Sequence, residues 1–288
     1  MNIFIMKIGI VGYGFVGKAL ANGIKESVDL SIIDPKLNTS IKDLENINPE
    51  LIFICVPTPM KNDGTQDISI VESVISDLNK YCSSSLFVLK STVLPSNVKH
   101  IDGLCKSLIL NPEFLRENFA DEDFINSDLI LFGGDKDQAN KLSNFYSDHT
   151  KCINKKHIFV DLVSAALIKY TINSFLATKV IFFNEIKQIF DKSSTNDSWN
   201  NFIEALSSDK RIGDTHMQVP GPDGRNGFGG ACFPKDTNAL LDYSKEINAN
   251  FNLLDKVISL NNAIRAEYNM PTERELEQNI GFKKNNKE

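Results

Sequence analysis

The feature that most constrains the fold is six residues long: Gly12-Tyr13-Gly14-Phe15-Val16-Gly17, a GxGxxG set directly behind the β-branched run 6–11 and ahead of the helix-compatible stretch 18–26. A second strand follows at 29–33 and closes on Asp34, so the segment reads as a βαβ unit. In that setting Gly12 permits a tight turn, Gly14 lets a pyrophosphate approach the backbone, and Gly17 lets helix and strand pack closely. Asp34 stands where a carboxylate would meet the adenosine ribose and repel a 2'-phosphate. The expected cofactor is therefore NAD, held by Gly12, Gly14, Phe15, Val16, Gly17 and Asp34.

The alternation continues. Residues 51–56, 86–89, 108–110 and 129–132 read as strands and 69–81 as a helix, which makes residues 1–157 a Rossmann-type α/β domain with a doubly wound parallel sheet. From 160 to 192 apolar residues recur at helical spacing without Gly or Pro. This suits one long helix opening an all-helical second domain, 158–270. Residues 271–288 are left as a tail, long enough over 270–282 for one helix and no more, and frayed over 283–288. A length of 288 residues fits about two domains.

Thirty-one Lys and Arg against 37 Asp and Glu give a net charge of -6, with no cationic surplus to steer the chain onto nucleic acid or anionic lipid. No stretch approaches the roughly 18 uninterrupted apolar residues of a membrane helix. Five scattered Cys and four His (His100, His149, His157, His216) lack CxxC or ligand spacing, which argues against disulfides and metal. A reducing compartment fits this thiol usage, and residues 1–5 lack the basic start and cleavage site of a leader. The expected location is the cytoplasm.

A second glycine cluster carries the chemistry: Gly227-Phe228-Gly229-Gly230-Ala231-Cys232-Phe233-Pro234-Lys235-Asp236. Its glycines let backbone close on a ligand, and Cys232 sits among small residues with Lys235 and Asp236 close behind. Lys169 and Asn173, four apart on the long helix, project from one face and can hold one oxyanion together. Asn111-Pro112 reads as N-cap and first position of a helix, which would put Glu113 and Glu117 on one face at its start. Thr92 follows the strand 86–89, at the sheet end that faces a ligand crevice. Arg225, in the loop 220–230, reads equally as a phosphate or sugar contact and as a solvated cation.

At these residues the chain resembles the UDP-glucose/GDP-mannose dehydrogenase family. Val56-Pro57-Thr58-Pro59, Ser91-Thr92-Val93, Asn111-Pro112-Glu113-Phe114-Leu115-Arg116-Glu117, Phe183-Asn184-Glu185 and Arg211-Ile212-Gly213 look like that family's blocks in order, from about residue 6 to about residue 265. The resemblance implies a four-electron oxidation of a nucleotide sugar, UDP-glucose to UDP-glucuronate by default. The reaction would use NAD and no metal, through a Cys232 thiohemiacetal and thioester. It implies catalytic roles for Cys232, Lys169, Asn173, Glu117, Asp236 and Thr92, and further cofactor contacts at Thr58, Thr92 and Lys235. Substrate contacts are implied at Glu113, Phe114, Leu115, Arg116, Glu117, Lys169, Asn173, Arg211, Phe228 and Gly229. It also implies a homodimer built on the long helix, with Arg211 reaching the neighbouring subunit's substrate.

The family's third, nucleotide-gripping domain is expected to be absent from this chain. Leu129 stands where the resemblance would put an Arg, and 221–226 is longer than the compact loop of many relatives. Two other readings stay open. A one-step β-hydroxyacid dehydrogenase shares the domain plan and a Lys with an Asn four residues on, but has no use for Cys232. A non-catalytic family member would act as a partner subunit.

Overall fold

The run behind the first glycine is β1 (Lys7–Val11), the strand on which the sheet is wound. The computed structural model describes residues 5–61 and 65–282; the stretch 283–288, expected to fray, and four of the first five residues lie outside these. Two units divide the chain, Met1–Thr58 with Gln66–Lys169, and Pro59–Thr65 with Tyr170–Glu288.

In the first unit, β1 is joined by β2 (Asp29–Ile33), β3 (Leu51–Ile54), β4 (Leu86–Leu89), β5 (Leu108–Leu110), β6 (Ile130–Gly134) and β7 (His157–Val160) in the order β2-β1-β3-β4-β5-β6-β7. The helices are α1 (Phe15–Gly23), α2 (Ser69–Tyr81), α3 (Pro95–Gly103), α4 (Ala120–Ile125) and α5 (Lys136–His149). The runs LIFI of β3 and LFVL of β4 are buried at every position because helices cover both faces of the sheet. Alternate residues serve the two sides. Ile8, Ile10 and Phe53 pack with Leu20 of α1 and Phe145 of α5, whereas Ile52 and Ile54 pack with Val71 and Ile75 of α2 and Val98 of α3.

The expected all-parallel sheet is corrected at β6. Strands β1 to β5 are parallel, β6 runs antiparallel to β5 through Ile109↔Gly134 and Leu110↔Gly133, and β7 is parallel to β6. A parallel return needs a crossover as long as the sheet. The six residues of α4 span only about 9 Å, and they lie on α1, with the Phe124 ring against Gly23. The chain therefore re-enters beside β5 in the opposite sense. At the far edge the sheet gains β7, and the first unit runs on to Lys169.

The second unit is helical: the remainder of α6 (Leu162–Lys192), α7 (Trp199–Ser207), α8 (Phe233–Glu246), α9 (Asn252–Arg265) and α10 (Glu273–Glu277). Helix α6 starts at Leu162, after β7 has used Val160. Among the described residues it is the one helix long and apolar enough to cross a membrane by length and composition, and 44% of that window is buried inside the protein. Its apolar side chains serve protein cores: Ala165 and Ala166 in the first unit, and Ala177, Ile181 and Phe183 with Phe228, Val257 and Trp199 in the second. The tail, given room for one helix over 270–282, carries α10, and Glu275 and Ile280 there are buried.

The contact of α1 with α4 gives a stability prediction. A Cβ on Gly23 would stand 2.2 Å from the Phe124 ring, whereas one on Gly103 meets nothing within 4 Å. Thermal denaturation should show Gly23→Ala losing about 1–3 kcal/mol and Gly103→Ala losing none.

Candidate active site

In the first unit, the expected cofactor and substrate residues, apart from Lys169 on α6, fall just past the carboxyl ends of β1 to β5, where an open α/β sheet places its ligand crevice. The three glycines divide their labour sterically. Gly12 has φ +96, and a Cβ there would meet Cys55 O at 2.7 Å; on Gly17 it would meet Gly12 O at 2.1 Å; on Gly14 it would meet nothing within 4 Å. Gly14 is also the N-cap of α1, which has no side-chain cap and no acidic residue in its first turn, so that end is shaped and polarised for an anion. Asp34 braces the loop: Oδ2 accepts the Tyr13 N–H at 2.7 Å and Oδ1 the Lys36 N–H at 2.9 Å. Each oxygen keeps a lone pair for a ribose hydroxyl. These residues fit a dinucleotide.

Thr92 lies beyond β4, and its carbonyl accepts from Thr58 Oγ1 at 2.8 Å and Gln66 Nε2 at 2.9 Å. Gln66 Oε1 in turn takes the Leu94 N–H and Asn97 Nδ2. The buried Gln66 carried no sequence signal, being a lone polar residue in a loop.

The segment after β5 corrects the helix expected at 111. Asn111 caps nothing, since its side chain is taken up in the interior: Oδ1 accepts from Lys90 Nζ at 3.0 Å and Tyr146 Oη at 2.5 Å, and Nδ2 donates to Leu131 O. Burial lowers the Lys90 pKa and raises that of Tyr146. Residues 111–116 are irregular, and a 3-10 turn begins only at Glu117. Glu113 is buried, with Oε2 accepting the Leu115 N–H at 2.8 Å and Oε1 accepting from Lys169 Nζ at 3.1 Å. Lys169 Nζ also donates to Glu113 O at 2.6 Å and stands over the Phe114 ring. Arg116 grips Asp123 through Nε and Nη2. Glu117 is exposed.

In the second unit, Cys232 is the N-cap of α8, with Pro234 and Lys235 in the first turn. Its sulfur therefore sits at the positive end of a 14-residue helix. Lys235 Nζ donates to Asp236 Oδ1 at 2.6 Å and Asn173 Nδ2 to Asp236 Oδ2 at 2.6 Å, with all three residues buried. Asp236 thus orients Asn173, whose amide keeps a second N–H to donate. Lys235, expected at the cofactor, makes this pair with one of its three ammonium donors. Among the other cysteines, burial pushes Cys55 and Cys105 up to about 12, and raises Cys82 and Cys152 as well.

The glycine loop ahead of Cys232 is held by side chains that were given no site role from sequence. Asn184 Oδ1 accepts the Gly227 N–H at 3.0 Å, and Asn261 accepts the Phe228 N–H at 2.7 Å while donating to its carbonyl at 3.0 Å. Asn261 and Arg265 continue the buried stripe of α9 set by Leu254, Val257 and Ile258. Polar residues at apolar positions were the legible signal. Arg225 turns out to bond Met270 O and lie over Tyr268. Arg211 is at the surface, paired with Asp209, on a turn whose carbonyls at Ile212 and Gly213 accept from Lys179 Nζ.

Residues 23–150 match the UDP-glucose/GDP-mannose dehydrogenase family, NAD binding domain, and residues 163–263 match that family's central domain. A UDP-glucose 6-dehydrogenase of Rickettsia bellii (strain RML369-C) is 37% identical over 231 residues, covering 77% of this chain and 51% of its own. The chain thus spans about half the length of the curated relatives it matches. Among solved structures, a UDP-glucose dehydrogenase of Pyrobaculum islandicum aligns over 91% of this chain and 69% of its own, at TM-score 0.75 and 25% identity. A 3-hydroxyisobutyrate dehydrogenase of Mycobacterium tuberculosis aligns over 92% of this chain and 95% of its own, at TM-score 0.71 and 16% identity, a likeness of fold alone.

The glycine geometry separates binding from stability. Gly14→Ala should keep stability within about 0.5 kcal/mol yet abolish dinucleotide binding in a fluorescence titration. Gly17→Ala should lose binding together with about 1–3 kcal/mol.

Proposed function

The chain belongs to the UDP-glucose/GDP-mannose dehydrogenase family, and we propose that it oxidises the C6 alcohol of a nucleotide sugar to the carboxylate at Cys232. UDP-glucose is the default substrate, after the names its relatives carry. The observation that carries this reading is the seat of Cys232: half-buried at the start of α8, behind a loop clamped by Asn184 and Asn261 and ahead of the buried Lys235, Asp236 and Asn173. A structural cysteine needs none of this.

Held by Gly12, Gly14, Gly17 and Asp34, NAD supplies the hydride acceptor, one equivalent for each two-electron step. In the first step the C6 hydroxyl loses its proton through a water assigned to Thr92, Glu117 and Asp236. An aldehyde has no hydroxyl hydrogen left to remove, so the second oxidation needs an addition. Cys232 Sγ bonds to the aldehyde carbon, and Lys169 and Asn173 are assigned the resulting oxyanion. Oxidation of this thiohemiacetal leaves a thioester on Cys232. Glu117 then takes a proton from water as that water attacks the carbonyl, the C–S bond breaks, and the acid leaves with the thiol regenerated.

A one-step β-hydroxyacid dehydrogenase or a non-catalytic partner subunit would leave the clamped cysteine without a use. No disulfide joins the five cysteines, which suits a reducing compartment, and we place the reaction in the cytoplasm. We assign the exposed stripe Phe175, Phe182 and Ile189 of α6 to a second copy of the chain. Its seven-residue spacing repeats every two turns on one face, and the three side chains are 66%, 55% and 61% exposed. Arg211, its side chain 90% exposed, is assigned to the partner's substrate.

With limiting UDP-glucose and excess NAD, wild type should yield two NADH per sugar and an acid, and Cys232→Ala should yield no acid; normal acid from Cys232→Ala rejects the mechanism. Phe182→Glu should convert a dimer into a monomer in sedimentation velocity, and an unchanged mass rejects the interface.

A further inference from the structure

The proposed chemistry depends on how the glycine loop presents Cys232, and the stretch after α9 holds that loop from beneath. Arg265 of α9 and Glu275 of α10 are both buried and bonded through Nη2 and Oε1 at 2.5 Å. Arg265 Nη1 also reaches Asp223 Oδ2 at 2.7 Å, at the start of the same loop. Glu275 Oε1 further accepts the Gly230 N–H at 3.2 Å, while Oε2 accepts the Thr272 N–H at 2.7 Å. The loop lies directly on this pair: a Cβ on Gly229 would stand 2.2 Å from both Arg265 Nη2 and Glu275 Oε1. Tyr268 adds a third tie, its hydroxyl accepting the Asn226 N–H at 2.7 Å.

We propose that Glu275 is a positioning residue for Cys232, fixing the Gly229–Gly230 backbone two residues before it. The inference rests on the nucleophilic role proposed for Cys232. A loop of glycines has no side chains to set its own conformation, and each backbone N–H buried without a partner is unfavourable. Asn184 and Asn261 fix Gly227 and Phe228, and Glu275 fixes Gly230, two residues before the sulfur. A carboxylate suits this position because it satisfies an amide and a guanidinium with one oxygen, which neither asparagine does.

The test is alkylation of Cys232 by iodoacetamide, mapped by mass spectrometry from about pH 6 to about pH 9, alongside thermal denaturation. Cys55 and Cys105, pushed up to about 12, stay protonated under these conditions. Glu275→Ala should slow alkylation about tenfold. Glu275→Gln keeps a carbonyl oxygen for Gly230 and should restore the rate to within about twofold. Asp223→Asn, which weakens Arg265's other ion pair without touching the Gly230 amide, should lower the melting temperature but alkylate as wild type does.

Removing one partner of a buried pair can unfold a protein, so the double variant Arg265→Met with Glu275→Met, which removes both charges, is made in parallel and should alkylate as slowly as Glu275→Ala. Wild-type alkylation in Glu275→Ala or in the double variant overturns the proposal, as does an equal loss in Asp223→Asn. Because alkylation needs no turnover, failure here is separable from failure of the Cys232 mechanism, which the acid yield of Cys232→Ala decides.

Discussion

Irregular backbone buried at a ligand site must find partners for its amides and carbonyls, and in this chain side chains from neighbouring elements provide them. Asp34 takes the amide of Tyr13. Thr58 and Gln66 take the carbonyl of Thr92. Lys90 takes the carbonyl of Asn111, and Lys169 that of Glu113. Asn184, Asn261 and Glu275 take the amides of the glycine loop. These segments are non-repetitive chain pinned by residues distant in sequence. The helices and strands supply the places from which these residues reach.

This constraint explains what could be read beforehand. Strands β2, β4 and β5 and helix α2 fall where the apolar runs and helical spacing put them, because local patterning sets them. The fingerprint glycines were legible because each answers a local steric demand. The sense of β6 was not, since it follows from α4 lying on α1 through Gly23 and Phe124, a tertiary contact. Strand β7 was hidden because its HIFV runs straight into the apolar pattern of α6. Asn111 looked like a helix cap because Asn-Pro is a helix-start signal, and only the buried Lys90 and Tyr146 reveal that its side chain is used inward. Glu275 could not be found from sequence, because a Thr-x-x-Glu capping box is an ordinary helix start until Arg265 is seen beside it.

Among the described residues the buried ions obey one rule: every one is paired or hydrogen-bonded, and each pair is tied to a segment of the candidate site. Lys169 meets Glu113 on the segment after β5, Lys235 meets Asp236 at the start of α8, and Arg265 meets Glu275 beneath the glycine loop. Buried pairs add little net stability compared with apolar packing, but they are intolerant of displacement because a separated charge is strongly penalised. They hold groups in one arrangement, as a site needs and a mere core does not.

The same logic divides labour between the two carboxylates of the segment after β5. Glu113 is 8% exposed, and its oxygens are engaged by Lys169 and the Leu115 amide. A base so placed would have to break an ion pair to accept a proton. Glu117, four residues further on, is exposed and begins a 3-10 turn. A group that must take a proton from water at each turnover has to meet water, so under the proposed reaction the base belongs at Glu117. Glu113 serves by holding the Lys169 ammonium in place. Under that reaction, two carboxylates four residues apart take different tasks because their environments differ.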